Sequence, residues 1–415
     1  MKRFLTPFAM LCLVGFSARL GYQMARPPVL PRFAEELGAQ TWLIGLVVGA
    51  STITGVFIKF PAGTLSDILG RRRMLVLGAA FFAFPPFLYL LARDPYTLLG
   101  IRFLHGFATA IFGPVASAAV ADLFQKERGE KLGWFAASSE VGSAFGPLLG
   151  GSALAAFAGP GLSKFHYTYL IVGALGVMTL LLALRIPIGR PSPNAGPPSG
   201  GGRQVSRWAL FREGMWQVLG NRPILIASSV EAAMFLGVGA LVAFLPLYAK
   251  NVVGLGDAYL GLLLWVPLVM AMVGKPLSGR ISDRVGRKPV ILLGLALCTA
   301  TLPLVPMTRN LLGLLLEGAV FGAGMAAVTP STTALVADLC KTRNYGAAMG
   351  VFGAIWDMGE ASGPILAGAL ITAFGGLQAA SAYLAAFTIV AAVLVLAGIV
   401  FGLLATVPRA ASERA

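Results

Sequence analysis

The sequence predicts an all-α integral membrane protein with twelve transmembrane helices in two pseudo-symmetric six-helix bundles. Three observations predict it: the composition, the length of the apolar runs and a polar motif that occurs twice. Of the 415 residues, 57% are hydrophobic and only 12% are charged, and the mean hydropathy is +0.80. A soluble domain carries about 25% charged residues. The chain therefore lacks the polar residues that a water-exposed surface requires.

Twelve apolar runs are long enough to cross a bilayer, which takes about 20 mostly apolar residues in a helix. They lie at roughly 6–26, 42–66, 73–92, 96–122, 131–157, 166–186, 223–249, 258–280, 288–307, 311–337, 345–373 and 378–404. Transmembrane β-strands are not indicated, because the runs are too long and lack alternation. The pattern predicts an N-terminal bundle over 1–186, a linker over 187–222 and a C-terminal bundle over 223–415.

The linker has two different parts. Its segment Pro191–Gly202 is rich in Pro, Gly and Ser and predicts a flexible tether. After it, apolar residues recur at helical spacing among arginines; they are Trp208, Phe211, Met215, Trp216 and Leu219. This pattern predicts a short amphipathic helix on the inner leaflet. Packing of the same helix under the bundle is the alternative.

The basic residues predict the orientation in the membrane. The net charge is +15, but the bases lie in short loops between apolar runs, whereas nucleic-acid binders cluster them on one face. With a cytoplasmic N-terminus, 22 of the 32 basic residues fall on the inner side and 6 on the outer side. The positive-inside rule then places both termini in the cytoplasm of a multi-pass inner-membrane protein, with no nucleic-acid partner.

A polar hairpin occurs once in each half, at Gly63–Arg73 and at Gly279–Pro289. The shared positions are Gly63 and Gly279, Ser66 and Ser282, Asp67 and Asp283, Gly70 and Gly286, and Arg71 and Arg287, all at an offset of 216 residues. The same offset relates Asp122 to Asp338. Directly after the shared aspartate the copies differ, with Ile68 in the first and Arg284 in the second. Because each half has an even number of spans, the repeats are parallel.

The fifth and eleventh spans share a second pattern, called here the glycine-proline motif. In the fifth span it consists of Gly133, Gly142, Gly146, Pro147, Gly150 and Gly151. In the eleventh span it consists of Gly350, Gly359, Gly363, Pro364 and Gly368. Glycines four residues apart form one smooth face, which lets two helices approach closely, and the proline weakens the helix. A bending interface is predicted; generic helix packing is the alternative.

Together these motifs resemble the major facilitator superfamily along nearly the whole chain. The two hairpins resemble that family's signature after spans two and eight, and Arg102–Gly106 resembles its span-four motif. The glycine-proline motif resembles the one associated with drug:proton antiporters. The resemblance implies alternating access of two bundles, with the hairpins as a cytoplasmic latch. It also implies that Asp67 is the latch acid, Arg71 its basic partner, and Asp122 part of the same charge network.

Ionisable residues inside the spans are costly in a bilayer and are candidate functional groups. The candidate carriers of protons are Glu140, Asp357, Glu360 and Glu231. Static pairing of each acid with Arg19, Lys59, Arg102 or Lys275 is the alternative. Arg19 stands mid-span in the first helix, where exporters that resemble this chain place an acid, so Arg19 and Arg102 are candidate contacts for an anionic or amphiphilic substrate.

The sequence therefore predicts a monomeric secondary transporter that exports small lipophilic or amphiphilic molecules in exchange for protons. A proton-coupled importer or metabolite permease on the same fold remains the alternative, because the first span carries Arg19 in place of an acid. An enzyme or receptor is not indicated, since the two histidines and three cysteines form no catalytic or metal-binding pattern. No ATP-binding loop is found, and neither a cofactor nor a metal is expected.

Overall fold

The computed structural model describes residues 6–124, 126–159, 161–186, 216, 220–339 and 345–405. Inside these ranges the side chains of Phe60, Thr64, Asp67 and residues 345–348 lie outside the description. The described chain is helical, and no strand occurs in it. The predicted linker helix falls almost entirely on residues outside this part of the chain, so it stays a prediction.

The first half contains six long helices and two short ones. They are α1 (Pro7–Met24), α2 (Val29–Glu36), α3 (Thr41–Leu69), α4 (Arg71–Ala83), α5 (Pro85–Leu88), α6 (Pro95–Leu123), α7 (Arg128–Ala156) and α8 (Ser163–Arg185). Local chemistry fixes several starts. The Thr6 hydroxyl accepts from the amide of Ala9 before α1, and the Asp94 carboxylate accepts from the amides of Tyr96 and Thr97 before α6. Both caps precede a proline at the first helical position.

The second half repeats the arrangement with six long helices. They are α9 (Arg222–Tyr248), α10 (Asp257–Val285), α11 (Arg287–Leu304), α12 (Leu311–Leu339), α13 (Tyr345–Ala373) and α14 (Ala380–Leu404). Each lies within a few residues of an apolar run that the sequence predicts to span the membrane. The described residues therefore contain twelve helices at the positions of the twelve predicted spans.

Ten of these helical segments are long and apolar enough to cross a membrane. The two long helices outside that set are α7 and α13, which carry the glycine-proline motif together with Glu140, Asp357 and Glu360. Each has 29 residues, so length does not exclude a membrane span. Their composition does not meet the apolar criterion that the other ten segments meet. That they cross the membrane, which would make twelve spans, stays a prediction.

The chain forms two compact units. One comprises Met1–Ala39 with Ala50–Val205, and the other comprises Gln40–Gly49 with Ser206–Ala415. In the first unit α1 packs along α7 and α4 packs on α6 and α8. In the second unit α9 packs along α13, and α12 packs on α10 and α11. The matching helix pairs follow the sequence repeat. The predicted bundle limits at 186 and 223 stay predictions.

The structure refines two of the approximate boundaries. The polar hairpin Gly63–Arg73 is mostly helical, because α3 continues to Leu69 and α4 begins at Arg71. The whole reversal falls on Gly70, whose φ of 93° lies in the region that glycine tolerates best. Gly286, with φ of 103°, does the same between α10 and α11. The segment between α1 and α3 also contains α2, which the apolar-run criterion misses because it is only 8 residues long.

Candidate functional site

In the first unit the polar hairpin is held by a small network around Arg71. Its Nε lies 2.8 Å from Asp122 Oδ2 at the end of α6. Its Nη1 donates to the Ser66 hydroxyl, which in turn donates to the Gly63 carbonyl at 2.6 Å. A single arginine therefore ties the end of α3 and the start of α4 to α6. The side chain of Asp67, the predicted latch acid, lies outside the described part.

The second unit repeats this network around Arg287. Its Nε lies 3.5 Å from Asp338 Oδ2, and its Nη1 donates to the Ser282 hydroxyl at 2.9 Å. It also forms an ion pair with Asp283 on the last turn of α10. Ser282 donates to the Gly279 carbonyl at 3.0 Å. Arg284, which completes the motif in sequence, is exposed.

The glycine-proline motif of the first unit packs on α1. A Cβ added to Gly142 would lie 2.4 Å from the carbonyl oxygen of Phe16, and one added to Gly150 would lie 2.8 Å from that of Met24. Contacts below 3.0 Å leave no room for a side chain. Gly146 meets α1 equally closely, and the adjoining Pro147 and Gly151 are buried, whereas Gly133 has open space around it. Three motif glycines therefore form a direct backbone contact.

The motif of the second unit packs on α9 in the same manner. A Cβ on Gly359 would lie 2.2 Å from the Ala232 carbonyl oxygen, and one on Gly363 would lie 2.2 Å from that of Leu236. Ala232 is the repeat equivalent of Phe16, at the offset of 216 residues. The two halves thus bring the same glycine against the same backbone carbonyl.

The candidate ionisable residues fall into different environments. Glu140 and Arg19 are exposed, Glu360 is partly exposed, and Asp357 is buried. Glu140 stands about 200° around α7 from Gly142, so it is turned away from the contact with α1. Each of these four side chains takes part in an interaction with its surroundings. Glu140 and Asp357 occupy matching positions of the fifth and eleventh spans, 217 residues apart in sequence, yet the first is exposed and the second is buried.

Glu231 on α9 is a completely buried carboxylate, with 0% exposure. It accepts a hydrogen bond from the Thr332 hydroxyl of α12. The same hydroxyl lies 2.9 Å from the Val328 carbonyl, so its single proton can serve either acceptor. Within the described residues the second carboxylate oxygen of Glu231, Oε1, has no hydrogen-bond partner. Lys275 of α10 is near enough to act on the carboxylate electrostatically.

Arg102 on α6 is the corresponding buried charge of the first unit, also with 0% exposure. Its guanidinium lies over the Tyr22 ring, 5.0 Å from the centroid, and Nη2 is 3.5 Å from the Tyr22 hydroxyl. Two guanidinium nitrogens, Nε and Nη1, have no hydrogen-bond partner in the described part of the chain. The polar neighbour of this cation is thus an aromatic hydroxyl rather than a carboxylate.

The aromatic cluster continues beside Arg102. His105 Nδ1 lies 3.2 Å from the Tyr89 hydroxyl, and Tyr89 stacks on Tyr169 with ring centroids 4.0 Å apart. The Tyr169 hydroxyl donates to the Ala25 carbonyl at 3.1 Å. The cluster of Tyr22, Tyr89, His105 and Tyr169 therefore joins α1, α6 and α8 around the arginine.

The match to a known family decides the identity. The sequence model described as Major Facilitator Superfamily matches residues 11–274 and 232–415, which together cover nearly all of the chain. The chain belongs to the Major Facilitator Superfamily. It is a multi-pass membrane transporter of small molecules, and it is not an enzyme.

The alignments with members of the superfamily span most of this chain and most of each relative. An uncharacterized MFS-type transporter from Methanocaldococcus jannaschii is 23% identical over 89% of this chain and 90% of its own. Multidrug resistance protein MdtG from Proteus mirabilis is 27% identical over 86% of this chain and 87% of its own. A crystal structure of a mutant of the nucleoside transporter NupG superposes with a TM-score of 0.77 at 15% identity, covering 96% of this chain and 99% of that one. The predicted fold class is confirmed.

Sequence reasoning in this superfamily member named Lys275 as a possible partner of the acids but missed Thr332 and the tyrosines around Arg102. Thr332 follows Pro330 in a run of hydroxyl residues, Thr329–Thr333, inside an apolar span. Such a run is a usable signal, because polar side chains inside a membrane bundle are rarely placed without a partner. The tyrosines around Arg102 gave no such signal, since they come from separate helices and tyrosine is common near membrane interfaces.

Proposed function

We propose that this transporter exports small lipophilic or amphiphilic molecules across the inner membrane in exchange for protons. The exchange proceeds by alternating access, with both termini in the cytoplasm. The proton part of the proposal depends on Glu231, a fully buried carboxylate that accepts a hydrogen bond from the neutral hydroxyl of Thr332. The export part draws on the glycine-proline motif and on the name of MdtG.

Glu231 suits proton carriage because it is completely buried and its Oε1 has no hydrogen-bond partner among the described residues. A carboxylate inside a membrane bundle is costly when charged, and a bound proton removes that cost. In the charged state Thr332 donates to Glu231. Once Glu231 is protonated, the Thr332 hydroxyl donates to the Val328 carbonyl, 2.9 Å away, and accepts from the new carboxyl O–H. Proton binding thereby reverses the direction of the Glu231–Thr332 hydrogen bond and leaves the Thr332 proton to the carbonyl of Val328.

The coupling step then follows from linkage. A proton can shift the equilibrium between inward-open and outward-open states only if it binds one of them more tightly. The proposal assigns that difference to Glu231, with Lys275 as the cation that favours its charged form. Asp357, Glu360 and Glu140 are secondary carriers in this proposal. Arg19 and Arg102 are its candidate contacts with the substrate.

The motifs supply the moving parts of the proposed cycle. The backbone contacts of Gly142 and Gly359 let α7 slide and bend on α1, and α13 on α9, without side chains in the way. The networks around Arg71 and Arg287, with Asp67, Asp122 and Asp283, form the cytoplasmic latch. Gly63, Gly70, Gly279, Gly286 and the exposed Arg284 shape the two ends of that latch.

Transport into and out of proteoliposomes tests the exchange. Purified protein is reconstituted with a lipophilic cationic dye inside, and an inward proton gradient is imposed. The proposal expects dye to leave faster with the gradient than without it, and protons to enter as the dye leaves. Equal dye efflux in the two conditions would rule out proton exchange for this substrate class.

The alternative is a proton-coupled permease for anionic metabolites. It is favoured by Arg102, a buried cation whose Nε and Nη1 lack partners among the described residues and could take a carboxylate or phosphate. The same proteoliposomes, prepared without dye inside and given an anionic amphiphilic dye in the outer solution, distinguish the two functions. Uptake of the anion driven by an inward proton gradient, with no effect on the cationic dye, would favour the permease.

A further inference from the structure

An apolar groove opens between α11 and α14 in the second unit. Its volume is about 560 Å³. From α11 it is lined by Leu292, Ala296 and Thr299, and from α14 by Val395, Gly398 and Gly402, among others. Thr299 carries the one polar side chain among the described residues that line it. A surface of this kind accepts a hydrocarbon chain and offers almost nothing to a polar ligand.

The equivalent helices of the first unit are packed closely. A Cβ on Gly176 of α8 would lie 2.0 Å from the Phe82 carbonyl oxygen on α4. In the second unit, by contrast, a Cβ on Gly398 would meet only a leucine side chain, at 3.1 Å, and one on Gly402 would meet its nearest atoms at 4.0 Å. The glycines of α8 close the first pair of helices, whereas those of α14 leave the groove open.

Lys288 marks one end of the groove. It stands one helical turn before Leu292 on α11, so the two side chains share a face. Its ammonium donates to the carbonyl of Ala405, at the end of α14, at 3.3 Å. The contact joins the same two helices that line the groove. An ammonium has three N–H donors, of which Ala405 takes one. Arg287 next to it is bound into the network with Ser282 and Asp338.

The length of the groove matches one leaflet of the bilayer. The lining of α11 runs from Leu292 to Ala300, which is about 12 Å at 1.5 Å per residue. Half of a bilayer's hydrocarbon core is about 15 Å thick. We propose that the groove binds one acyl chain of an anionic phospholipid and that Lys288 holds its headgroup phosphate. Basic residues between membrane helices at the cytoplasmic side are suited to such headgroups.

Native mass spectrometry of the purified transporter tests this site. The protein in detergent is given phosphatidylglycerol or phosphatidylcholine with identical acyl chains, and the retained lipid is counted. The wild type should retain phosphatidylglycerol about fivefold better, the contribution expected of one basic residue. Lys288→Gln should retain the two lipids equally. The matched control is Arg72→Gln, which removes the equivalent contact with the Leu184 carbonyl in the first unit, where Gly176 packs on the Phe82 carbonyl, and it should keep the preference.

The second part of the experiment fills the groove with a larger side chain. Ala296→Phe puts a ring into the groove and should abolish retention of both lipids, while Leu293→Phe, at an exposed position of α11 outside the groove, should change nothing. Equal lipid retention in these two variants would overturn the proposal, as would a wild type without preference for phosphatidylglycerol. A mass of two protein copies that falls to one copy in Ala296→Phe would also overturn it, because a second chain would then occupy the groove.

Discussion

The two halves of this transporter share their scaffold but carry opposite buried charges. Both halves keep the glycine that packs on a backbone carbonyl, Gly142 and Gly359, and both keep the arginine-centred network at the hairpin. The first half buries Arg102 and the second buries Glu231, each with 0% exposure. Neither charge has a counterpart in the other half.

The positions equivalent to these charges show how the repeat diverged. The equivalent of Glu231 is Gly15, where an added Cβ would lie 2.8 Å from the Phe135 ring. The equivalent of Arg102 is Gly318. A duplicated bundle thus retained the residues that set helix contacts and lost symmetry at the two completely buried charges. Symmetric features are expected to serve the motion, and asymmetric ones the ions and substrates.

The largest expected effect is the loss of proton coupling in Glu231→Gln. The amide cannot take up a proton, so dye efflux from proteoliposomes should be the same with and without an inward proton gradient. Uncoupled exchange of dye down its own gradient should persist, because the bundle is unchanged in shape. The matched control is Glu317→Gln on α12, which also pairs with a threonine, Thr308, but is only partly buried. Coupling that survives in Glu231→Gln would refute the assignment.

The next largest expected effect is a loss of stability that is similar in the two halves. Gly142→Ala and Gly359→Ala each force a Cβ to within 2.4 Å or less of a carbonyl oxygen. Each should lower the free energy of unfolding by about 1–3 kcal/mol, the usual penalty of overpacking. Gly133→Ala and Gly350→Ala are the controls, because open space surrounds both glycines.

In these controls the sign should reverse, since alanine stabilises a helix over glycine by about 0.5–1 kcal/mol. Denaturant titration of all four variants, followed by circular dichroism, measures the differences. If only one half is sensitive to its motif alanine, the packing symmetry is structural coincidence rather than a shared requirement for close approach.

Replacing the buried Arg102 with a neutral residue should reduce transport without reducing thermal stability. Arg102→Leu removes a buried charge that packs against Tyr22, so thermal stability should stay the same or rise while transport of the preferred substrate falls. Arg32→Leu is the comparison, because buried Arg32 forms an ion pair with Glu35 and the substitution breaks that pair. That variant should melt at a lower temperature. A lower melting temperature for Arg102→Leu would instead assign Arg102 a structural role.

Much of this fold follows from the sequence, because a bilayer restricts the chain to long apolar helices. The sequence also predicted the helix contact faces that contain Gly142 and Gly359, because helical spacing alone puts the motif glycines on one side of each helix. The reversal at Gly70 did not follow, because charged residues such as Arg71 and Asp67 resemble a loop in composition although the backbone there is helical. The environment of Glu231 did not follow either, since Thr332 lies 101 residues away in sequence.

The smallest expected effect concerns the two hairpin networks. The Arg71–Asp122 contact is 2.8 Å, a normal charge-assisted hydrogen bond, whereas Arg287–Asp338 at 3.5 Å is at the limit of one. The acidic partners are 58% and 49% exposed, so each pair contributes only about 0–1 kcal/mol. Asp122→Asn should therefore lower the melting temperature by more than Asp338→Asn does.

High salt should shrink that difference, because the screening length falls from about 10 Å at 0.1 M to about 3 Å at 1 M ionic strength, close to the length of these contacts. Melting curves of both variants at low and high salt measure it. A larger effect for Asp338→Asn would show that the second network is the stronger one, despite its longer contact. In that case Ile68 in the first hairpin, where the second has Arg284, would be the sequence difference that weakens the first latch.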